Sequence, residues 1–252
     1  MPHWDGRAGE QPPPPPMTIS VVIPTYNERD NLRSLVPQVL ALGPGYRVIV
    51  ADDNSPDGTG AVANALAETY PGRVRVLHRP GKAGIGPAYV AGFRAALADG
   101  ADLIVEMDAD HSHRPIDLPA LVAAAADADL VLGSRYVAGG RVEGWPLPRR
   151  LLSRFGGLYA RTILGVPVSD LTGGFKVFRR ATIEGLDLDR LGADGYGFQI
   201  EATYRVLQAG GRVVEVPILF VDRVAGASKL SRFIVLEAML LVWRLRWERR
   251  AR

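Results

Sequence analysis

The two carboxylates of Asp108-Ala109-Asp110 are the residues of this chain with the clearest chemistry. They end an apolar run, Leu103-Ile104-Val105-Glu106-Met107, which predicts a buried strand. Carboxylates one residue apart point to the same side of an extended chain. At a strand tip such a pair can hold a hard divalent cation, Mg²⁺ or Mn²⁺, and leave coordination positions for substrate phosphates. The motif therefore predicts a site for a metal and a diphosphate, typically of a nucleotide sugar. The alternative is a strand end with two solvated aspartates.

Two further strand ends carry polar residues. The run Ser20-Val21-Val22-Ile23 leads into Pro24-Thr25-Tyr26-Asn27-Glu28, and Arg47-Val48-Ile49-Val50-Ala51 leads into Asp52-Asp53-Asn54. Ligands of parallel sheets bind at the carboxyl ends of strands, so these segments are expected to converge with the acidic pair. Asp53 could accept hydrogen bonds from a base or ribose, or could cap the helix that follows. Glu28 has the same two interpretations.

Four cations are candidates for phosphate contacts: Arg135, Arg149, Arg223 and Lys229. Arginine binds phosphate oxygens in a bidentate manner, whereas lysine acts as a point charge. The segment 222–229 contains glycine and alanine between its cations, which predicts a mobile loop that closes over an anionic ligand. An ordinary surface loop before the last helix is the alternative.

The elements that must position these residues alternate between strand and helix. Strands are predicted at 20–24, 47–51, 74–77, 103–107 and 129–133. Helices are predicted between the first four strands, at 31–42, from Asp57 or Thr59 to Tyr70, and at 84–98. The pattern predicts an α/β fold with a mostly parallel, Rossmann-like sheet flanked by helices. The second half predicts helices at 148–164 and 197–208, a turn and strand at 170–178, and one strand at 212–221, where Pro217 indicates an edge or a bulge.

Three segments are expected along the chain. Residues 1–17, with five consecutive prolines, form a disordered tail, and 18–229 form one catalytic domain. Residues 230–252 form an amphipathic basic C-terminal helix whose apolar stripe comprises Phe233, Leu236, Leu240, Trp243 and Trp247. Its Arg- and Trp-rich end suits a membrane interface. An ordinary core-facing helix with a solvated end is the alternative.

Composition narrows the function classes. The chain has 252 residues, 47% of them apolar, and no cysteine, so disulfides and thiolate metal sites are excluded. A formal net charge of +3 is too small to indicate a nucleic-acid partner. Because no run reaches the roughly 18 apolar residues of a spanning helix, we expect a soluble or peripheral protein. Two clusters with five arginines and one glutamate each, 141–161 and 243–252, suit anionic ligands or an anionic membrane surface.

With these residues in view, the chain resembles the polyprenol- or dolichol-phosphate mannosyltransferases, family 2-type glycosyltransferases with the A-type fold. The resemblance covers nearly everything from Ile19 to about Lys229. The matching segments are Val22 to Arg29, Asp52 to Thr59, Asp108 to His113, Gly133 to Tyr136, Trp145, Arg149, Ser153-Arg154, Ser169 to Phe175, Gly195 to Gln199, and Asp222-Arg223 through Lys229.

The resemblance implies GDP-mannose as donor, a polyprenyl monophosphate as acceptor, Mg²⁺ or Mn²⁺ as cofactor, and an inverting displacement that yields β-linked polyprenyl phosphate mannose. It assigns the guanosine portion to Pro24, Tyr26, Glu28, Ala51 and Asp53, and the metal and diphosphate to Asp108, Ala109 and Asp110. It assigns phosphate or acceptor groups to Arg135 and Arg149, and the donor and acceptor phosphates to Arg223 and Lys229. The residues expected to act in catalysis are Asp110, Arg223 and Lys229.

Two departures from the family pattern leave alternatives open. Some relatives have a glutamine metal ligand where Ser112 stands, so either Ser112 or water completes the metal site. Some relatives carry C-terminal transmembrane helices, and no such helix is expected from this sequence. Membrane contact, expected at the cytoplasmic face, then comes from the acceptor, the last helix or a separate integral membrane partner.

Rival functions are a polyprenyl-phosphate glucosyltransferase that uses UDP-glucose and a non-catalytic nucleotide-sugar-binding subunit of a membrane complex. A dinucleotide-dependent dehydrogenase is disfavoured because no G-x-G-x-x-G follows the first strand.

Overall fold

The computed structural model describes residues 17–191, 193, 195–222 and 232–250, without the side chains of 196, 232–238 and 249–250. The described strands are β1 (Ile19–Thr25), β2 (Tyr46–Asp52), β3 (Val74–His78), β4 (Leu103–Glu106), β5 (Leu130–Ser134), β6 (Arg141–Glu143), β7 (Lys176–Arg179), β8 (Val213–Pro217) and β9 (Leu219–Val221). The described helices are α1 (Arg29–Leu40), α2 (Thr59–Thr69), α3 (Ile85–Ala98), α4 (Leu118–Ala124), α5 (Leu147–Leu164), α6 (Arg180–Gly185), α7 (Gly195–Gln208) and α8 (Arg232–Arg250).

The main sheet has the order β3-β2-β1-β4-β7-β5-β8 within the described ranges. All neighbouring strands are parallel except β7, which runs antiparallel to both β4 and β5. A small second sheet pairs β6 with β9 in parallel. The predicted α/β class with a mostly parallel, helix-flanked sheet is confirmed.

Helices cover both faces of the sheet because its strands are apolar on both sides. In β1, Val21 and Ile23 pack into the core under α1, α2 and α4, whereas Val22 packs into the core under α3 and α7. Helix α1 buries apolar residues at helical spacing, from Leu32 to Leu40, on the first of these faces.

Close approach of α3 to β1 depends on one glycine. A Cβ on Gly92 would lie 2.2 Å from Cγ1 of Val22, far inside van der Waals contact. The helix therefore sits directly on the strand that leads into the Pro-Thr-Tyr-Asn-Glu segment, and it holds that strand end in place.

The prediction of a single strand at 212–221 is wrong. It divides at Ile218 into β8, which pairs with β5 at the edge of the main sheet, and β9, which pairs with β6. The N–H of Ile218 donates to Ser134 O at 3.1 Å, and its carbonyl accepts from the N–H of Arg141 at 3.0 Å. The residue therefore bonds to both sheets. Pro217 ends β8 at the sheet edge, as its missing N–H predicts.

Candidate active site

The carboxyl ends of β2, β1 and β4 lie side by side. The register pairs Pro24 with Ala51 and Thr25 with Asp52, and Val22 with Glu106, two residues before Asp108. The segments after these strands therefore begin at one edge of the sheet. The residues assigned to the guanosine portion and those assigned to the metal are brought together there, as parallel strands require.

Hydrogen bonds join the loops after β1 and β2. The carboxylate of Asp52 accepts from Thr25 Oγ1 at 3.2 Å and from Ser55 Oγ at 2.6 Å. The N–H of Asn27 donates to Ser55 Oγ at 3.1 Å, and that of Glu28 donates to Thr59 Oγ1 at 3.0 Å. The hydroxyls of the Ser-Pro-Asp-Gly-Thr motif thus hold the first loop against the second, a role the sequence did not reveal.

Glu28 stands at the N-terminus of α1 without capping it by its side chain, and it accepts a hydrogen bond from Asn31 Nδ2 at 2.7 Å. Helix α1 begins at Arg29, so Asn27 lies before the cap position and Asp30 lies inside the first turn. Asn27 has a left-handed backbone, with φ at 61°, which asparagine tolerates well. Its conformation turns the chain sharply out of β1 and into the helix.

Asp53 is buried and forms an ion pair with Arg79. Its second oxygen accepts from the N–H of Ala83 at 3.3 Å. The carboxylate therefore bridges β2 to the loop after β3 and does not cap α2. In the same loop, the ammonium of Lys82 lies 4.7 Å from the ring centre of Tyr26. Sequence reasoning missed Arg79 and Lys82. The available signal was that these two cations lie close together in the sequence, beside Gly81 and Gly84.

The Asp-x-Asp turn is held by neighbours on both sides. Asp108 Oδ1 accepts from the hydroxyl of Tyr89 at 3.2 Å, and the Asp108 side chain is one-third exposed. Asp110 Oδ1 accepts from the N–H of Ser112 at 3.1 Å and from its hydroxyl at 2.5 Å. Ser112 therefore orients Asp110, and its part as a metal ligand stays a prediction.

His113 is buried behind this turn. Its Nδ1 accepts a hydrogen bond from the N–H of Asp108 at 3.0 Å, and its ring stacks on Phe175 with centroids 4.8 Å apart. Burial lowers the pKa of His113, so the ring is neutral at physiological pH. The accepting Nδ1 then places the proton on Nε2. The imidazole fixes the backbone of Asp108 and is not exposed as a base.

Buried charges lie deeper behind the acidic pair. The ammonium of Lys176 donates to Gln199 O at 2.8 Å and lies 3.9 Å from Glu106 Oε2. Burial raises the pKa of Glu106 to about 7, opposed by the charge of Lys176. Burial also lowers the pKa of Lys176 to about 8, opposed by Glu106. The pair joins β4 to β7 at the base of the site.

The donor set of the turn suits a hard cation. Carboxylate and hydroxyl oxygens are the ligands that Mg²⁺ and Mn²⁺ prefer. The described residues contain no cluster of three or more acidic or histidine side chains placed to hold a metal. A cation held by Asp108 and Asp110 would therefore take its remaining ligands from Ser112, water or substrate. Such an incomplete shell is what coordination by a diphosphate requires.

Arg135 belongs to a second part of the site, and it is buried. Its Nε donates to Asp170 Oδ2 at 2.7 Å and its guanidinium donates to Asp170 Oδ1 at 2.6 Å, with a further bond to Thr172 Oγ1 at 2.9 Å. Burial would raise the pKa of Asp170, but the charge of Arg135 and its hydrogen bonds hold it below its ordinary value. The phosphate contact of Arg135 stays a prediction, and its bonds to Asp170 give this arginine a structural role.

Arg149 lies in the first turn of α5. It donates to Asp222 Oδ1 at 2.9 Å, and its guanidinium lies 4.2 Å from the centre of the Trp145 ring. Within the residues that the structure describes, Arg149 Nε and Trp145 Nε1 are both buried and have no hydrogen-bond partner. Arg149 therefore has donor capacity beside Asp222. The predicted ligands Arg223 and Lys229 follow this residue and lie outside the described residues.

A mostly parallel sheet with an Asp-x-Asp turn beyond its strand ends defines a glycosyltransferase of the A-type fold. The protein is similar to a glucosyl-3-phosphoglycerate synthase from Mycobacterium tuberculosis in complex with phosphoglyceric acid. The TM-score is 0.69 and the identity 22%, over 92% of this chain and 81% of that one. A structure of the same enzyme with Mn²⁺, UDP and glucosyl-3-phosphoglycerate has a TM-score of 0.68, at 23% identity over 92% and 81% of the two chains. At this identity the likeness establishes the fold.

The family follows from the sequence match. The model of glycosyl transferase family 2 matches residues 20–186, so the chain belongs to that family and is a glycosyltransferase. It is 48% identical to a polyprenol monophosphomannose synthase of Mycolicibacterium smegmatis over 244 residues, covering 95% of this chain and 92% of the relative. It is 47% identical to an undecaprenyl-phosphate mannosyltransferase of Micrococcus luteus, covering 92% and 97% of the two chains. The family resemblance stated from the sequence is confirmed.

Proposed function

We propose that the protein transfers mannose from GDP-mannose to a polyprenyl monophosphate and forms β-linked polyprenyl phosphate mannose. The observation that carries this proposal is the match, over more than nine-tenths of both chains, to two relatives named for mannosyl transfer to a prenyl phosphate. The acidic pair at the strand ends supports a nucleotide-diphosphate sugar as donor. The assignment of guanosine rests on the sequence resemblance.

The reaction is an inverting single displacement. An oxygen of the acceptor phosphate attacks the anomeric carbon of mannose, and the bond from that carbon to the donor's diphosphate oxygen breaks, so GDP leaves with the electron pair. A phosphate monoester has a second pKa near 6 and is largely dianionic at neutral pH, so no general base is needed. His113, buried and hydrogen-bonded to the Asp108 backbone, agrees with this, since it cannot take a proton from the acceptor.

The proposed donor site has two parts, one for the nucleoside and one for the metal and diphosphate. Tyr26, Glu28 and Asp53 lie in the loops that would receive the nucleoside, with Pro24 and Ala51 beneath them. Asp108 and Asp110, with Ala109 between them, would hold Mg²⁺ or Mn²⁺, which when bound neutralises charge on the leaving diphosphate.

Four cations would meet the phosphates. Arg149 pairs with Asp222 after β9, and the guanidinium of Arg135 lies 5.3 Å from the ring centre of Phe220 in β9. Arg223 and Lys229 would offset the repulsion between donor and acceptor. Catalysis is assigned to Asp110, Arg223 and Lys229.

The acceptor places the reaction at a membrane. A prenyl chain stays in the bilayer, so the enzyme is proposed to work at its cytoplasmic face as a peripheral protein or beside an integral membrane partner. No helix in the described part of the chain combines the length and apolarity needed to cross a bilayer.

The test is transfer of labelled mannose from GDP-mannose to a short polyprenyl phosphate with Mg²⁺ or Mn²⁺, scored by extraction into organic solvent. We expect metal-dependent, extractable label. Asp110→Asn and Lys229→Ala should lose most of kcat and remain folded. The controls are Asp189→Asn and Arg190→Ala, which alter exposed charges elsewhere and should keep the wild-type kcat.

Other outcomes would redirect the proposal. Transfer from UDP-glucose in place of GDP-mannose would overturn the donor assignment and retain the acceptor. Absence of transfer from both donors would favour a non-catalytic nucleotide-sugar-binding subunit. Near-normal turnover of Asp110→Asn would contradict the assigned metal site.

A further inference from the structure

Large apolar side chains are exposed almost entirely on two helices. Eleven large apolar side chains are exposed among the described residues. Only two of them, Met17 and Ile116, lie outside α5 and α8. Ile116 lies beyond β4, in a short turn that leads into α4 on the opposite face of the sheet from α5 and α8. The nine others are concentrated on one side of the molecule. A concentration of this kind marks an interaction surface.

Helix α5 contributes a continuous stripe. Leu147, Leu151, Phe155 and Leu158 follow one another at intervals of four, four and three residues, which places them on one face of a helix. Their exposed fractions are 66%, 46%, 65% and 50%. The helix buries only Gly157, Ala160 and Leu164, all in its second half. The apolar stripe of α5 is therefore not part of the protein core.

Helix α8 continues this surface. Val242 and Leu245 are buried in the core, whereas Trp243 and Trp247 are 44% and 61% exposed and their ring centres lie 6.1 Å apart. The hydroxyl of Tyr159 on α5 donates to Met239 O of α8 at 3.4 Å, so the two helices are in contact. Tryptophan is enriched where apolar and aqueous phases meet, because its ring is apolar and its N–H is polar.

Positive charge borders the apolar stripe. Arg150, Arg154 and Arg161 are exposed and lie at intervals of four and seven residues, along a strip beside the leucines. Helix α5 contains four arginines and no acidic residue. An apolar stripe flanked by arginines matches a helix that lies in the plane of an anionic membrane surface. A protein partner would not require this uniform charge.

We propose that α5 and α8 form a membrane-docking face, that its occupant is a bilayer containing anionic lipids, and that α5 is its central element. The opposite side of α5 carries Ser153, which accepts a hydrogen bond from Tyr136 Oη at 2.7 Å, and Arg149, which pairs with Asp222. One helix thus faces lipid on one side and the phosphate-binding part of the site on the other. Docking would set the height of the acceptor phosphate at Arg149, a consequence that rests on the proposed function.

The first experiment measures docking without any substrate. The full chain is floated with vesicles of phosphatidylcholine and with vesicles of phosphatidylcholine and phosphatidylglycerol. We expect flotation with the anionic vesicles, and a reduction of roughly tenfold or more in Leu151→Glu/Phe155→Glu, since charge cannot enter the apolar layer. Ile116→Glu alters a side chain on the opposite face that is even more exposed, at 73%, and this variant should float as the wild type does.

Folding and charge are checked on the same variants. Both substituted residues are exposed, so the melting temperature of Leu151→Glu/Phe155→Glu should match that of Ile116→Glu. Arg150→Gln/Arg154→Gln should lose the preference for anionic over neutral vesicles. Equal flotation of the Leu151/Phe155 variant and the control would overturn the proposal. So would a wild type that does not float, or one that sediments as a dimer dissociated by these substitutions, which would assign the face to a second copy.

A second experiment separates docking from the reaction. With a short, water-soluble prenyl phosphate the Leu151/Phe155 variant should keep its turnover, whereas with a long-chain acceptor in anionic vesicles it should lose most of it. Equal loss with both acceptors would mean that α5 acts through the site and would overturn docking as its role. If the wild type transfers to neither acceptor but still floats, the proposed function fails and the docking face stands.

Discussion

Replacing Asp170 by asparagine tests whether Arg135 is primarily structural. Asp170 is fully buried and accepts three hydrogen bonds from Arg135, two from its guanidinium and one from its N–H at 2.9 Å. Removing one partner of a buried ion pair costs about 3–5 kcal/mol, because the other charge is left uncompensated. Asparagine keeps one acceptor oxygen, so we expect the lower end, about 3 kcal/mol. For a chain of this size that lowers Tm by about 6–12 °C.

The assay is thermal unfolding followed by circular dichroism, with Asp189→Asn as the matched control. Asp189 pairs with Arg94 while both side chains are more than half exposed, so its loss should cost at most about 1 kcal/mol. Since the folded-state pKa of Asp170 is lowered, its stabilising contribution is present above the unfolded-state pKa, about 4, and is lost as pH falls through the folded-state pKa. The Tm difference should persist from pH 7 to about 4 and shrink below. A difference no larger than the control's would refute the reasoning.

Further predictions concern the metal turn and the packing of α3. His113→Phe keeps a ring stacked on Phe175 but removes the acceptor for the Asp108 N–H. We expect the free energy of unfolding to fall by about 1 kcal/mol in denaturant unfolding, and the Kd for Mn²⁺ to rise in calorimetry. Unchanged Mn²⁺ affinity would contradict the positioning role. Gly92→Ala should cost about 1–3 kcal/mol, since its Cβ would overlap a strand side chain. Gly156→Ala, in open space on α5, should instead stabilise the chain by up to about 1 kcal/mol in denaturant unfolding, and equal effects of the two alanines would refute the packing argument.

The strands at the site could be predicted because each is a continuous apolar run that ends in polar residues. The segment 19–25 is almost fully buried, and the register of β1 with β2 follows from parallel pairing. The convergence of Asp53 and Asp108 at one edge required no knowledge beyond the rule for parallel sheets. Local pattern therefore sufficed wherever an element is buried on both faces.

The contacts that depend on distant pairing could not be predicted. Strand β6 has three residues and no apolar run, and it forms only because β9 lies beside it, which also divides the predicted strand at Ile218. Nothing in the sequence around Arg135 indicates that it pairs with Asp170, 35 residues later. Arg79, the partner of Asp53, is likewise distant in the sequence, 26 residues later. In each case the determining neighbour comes from tertiary structure, which periodicity does not encode.

The antiparallel strand β7 has a consequence for how the protein is made. Strands β4 and β5 do not pair with each other, because β7 lies between them and is synthesised more than 40 residues after β5. Until Lys176–Arg179 leaves the ribosome, the sheet β3-β2-β1-β4 ends in an apolar edge that contains the buried carboxylate of Glu106. An unpaired apolar edge invites association with other chains, and late long-range pairing slows folding. This enzyme should therefore depend most on chaperones during synthesis of the segment between β5 and β7.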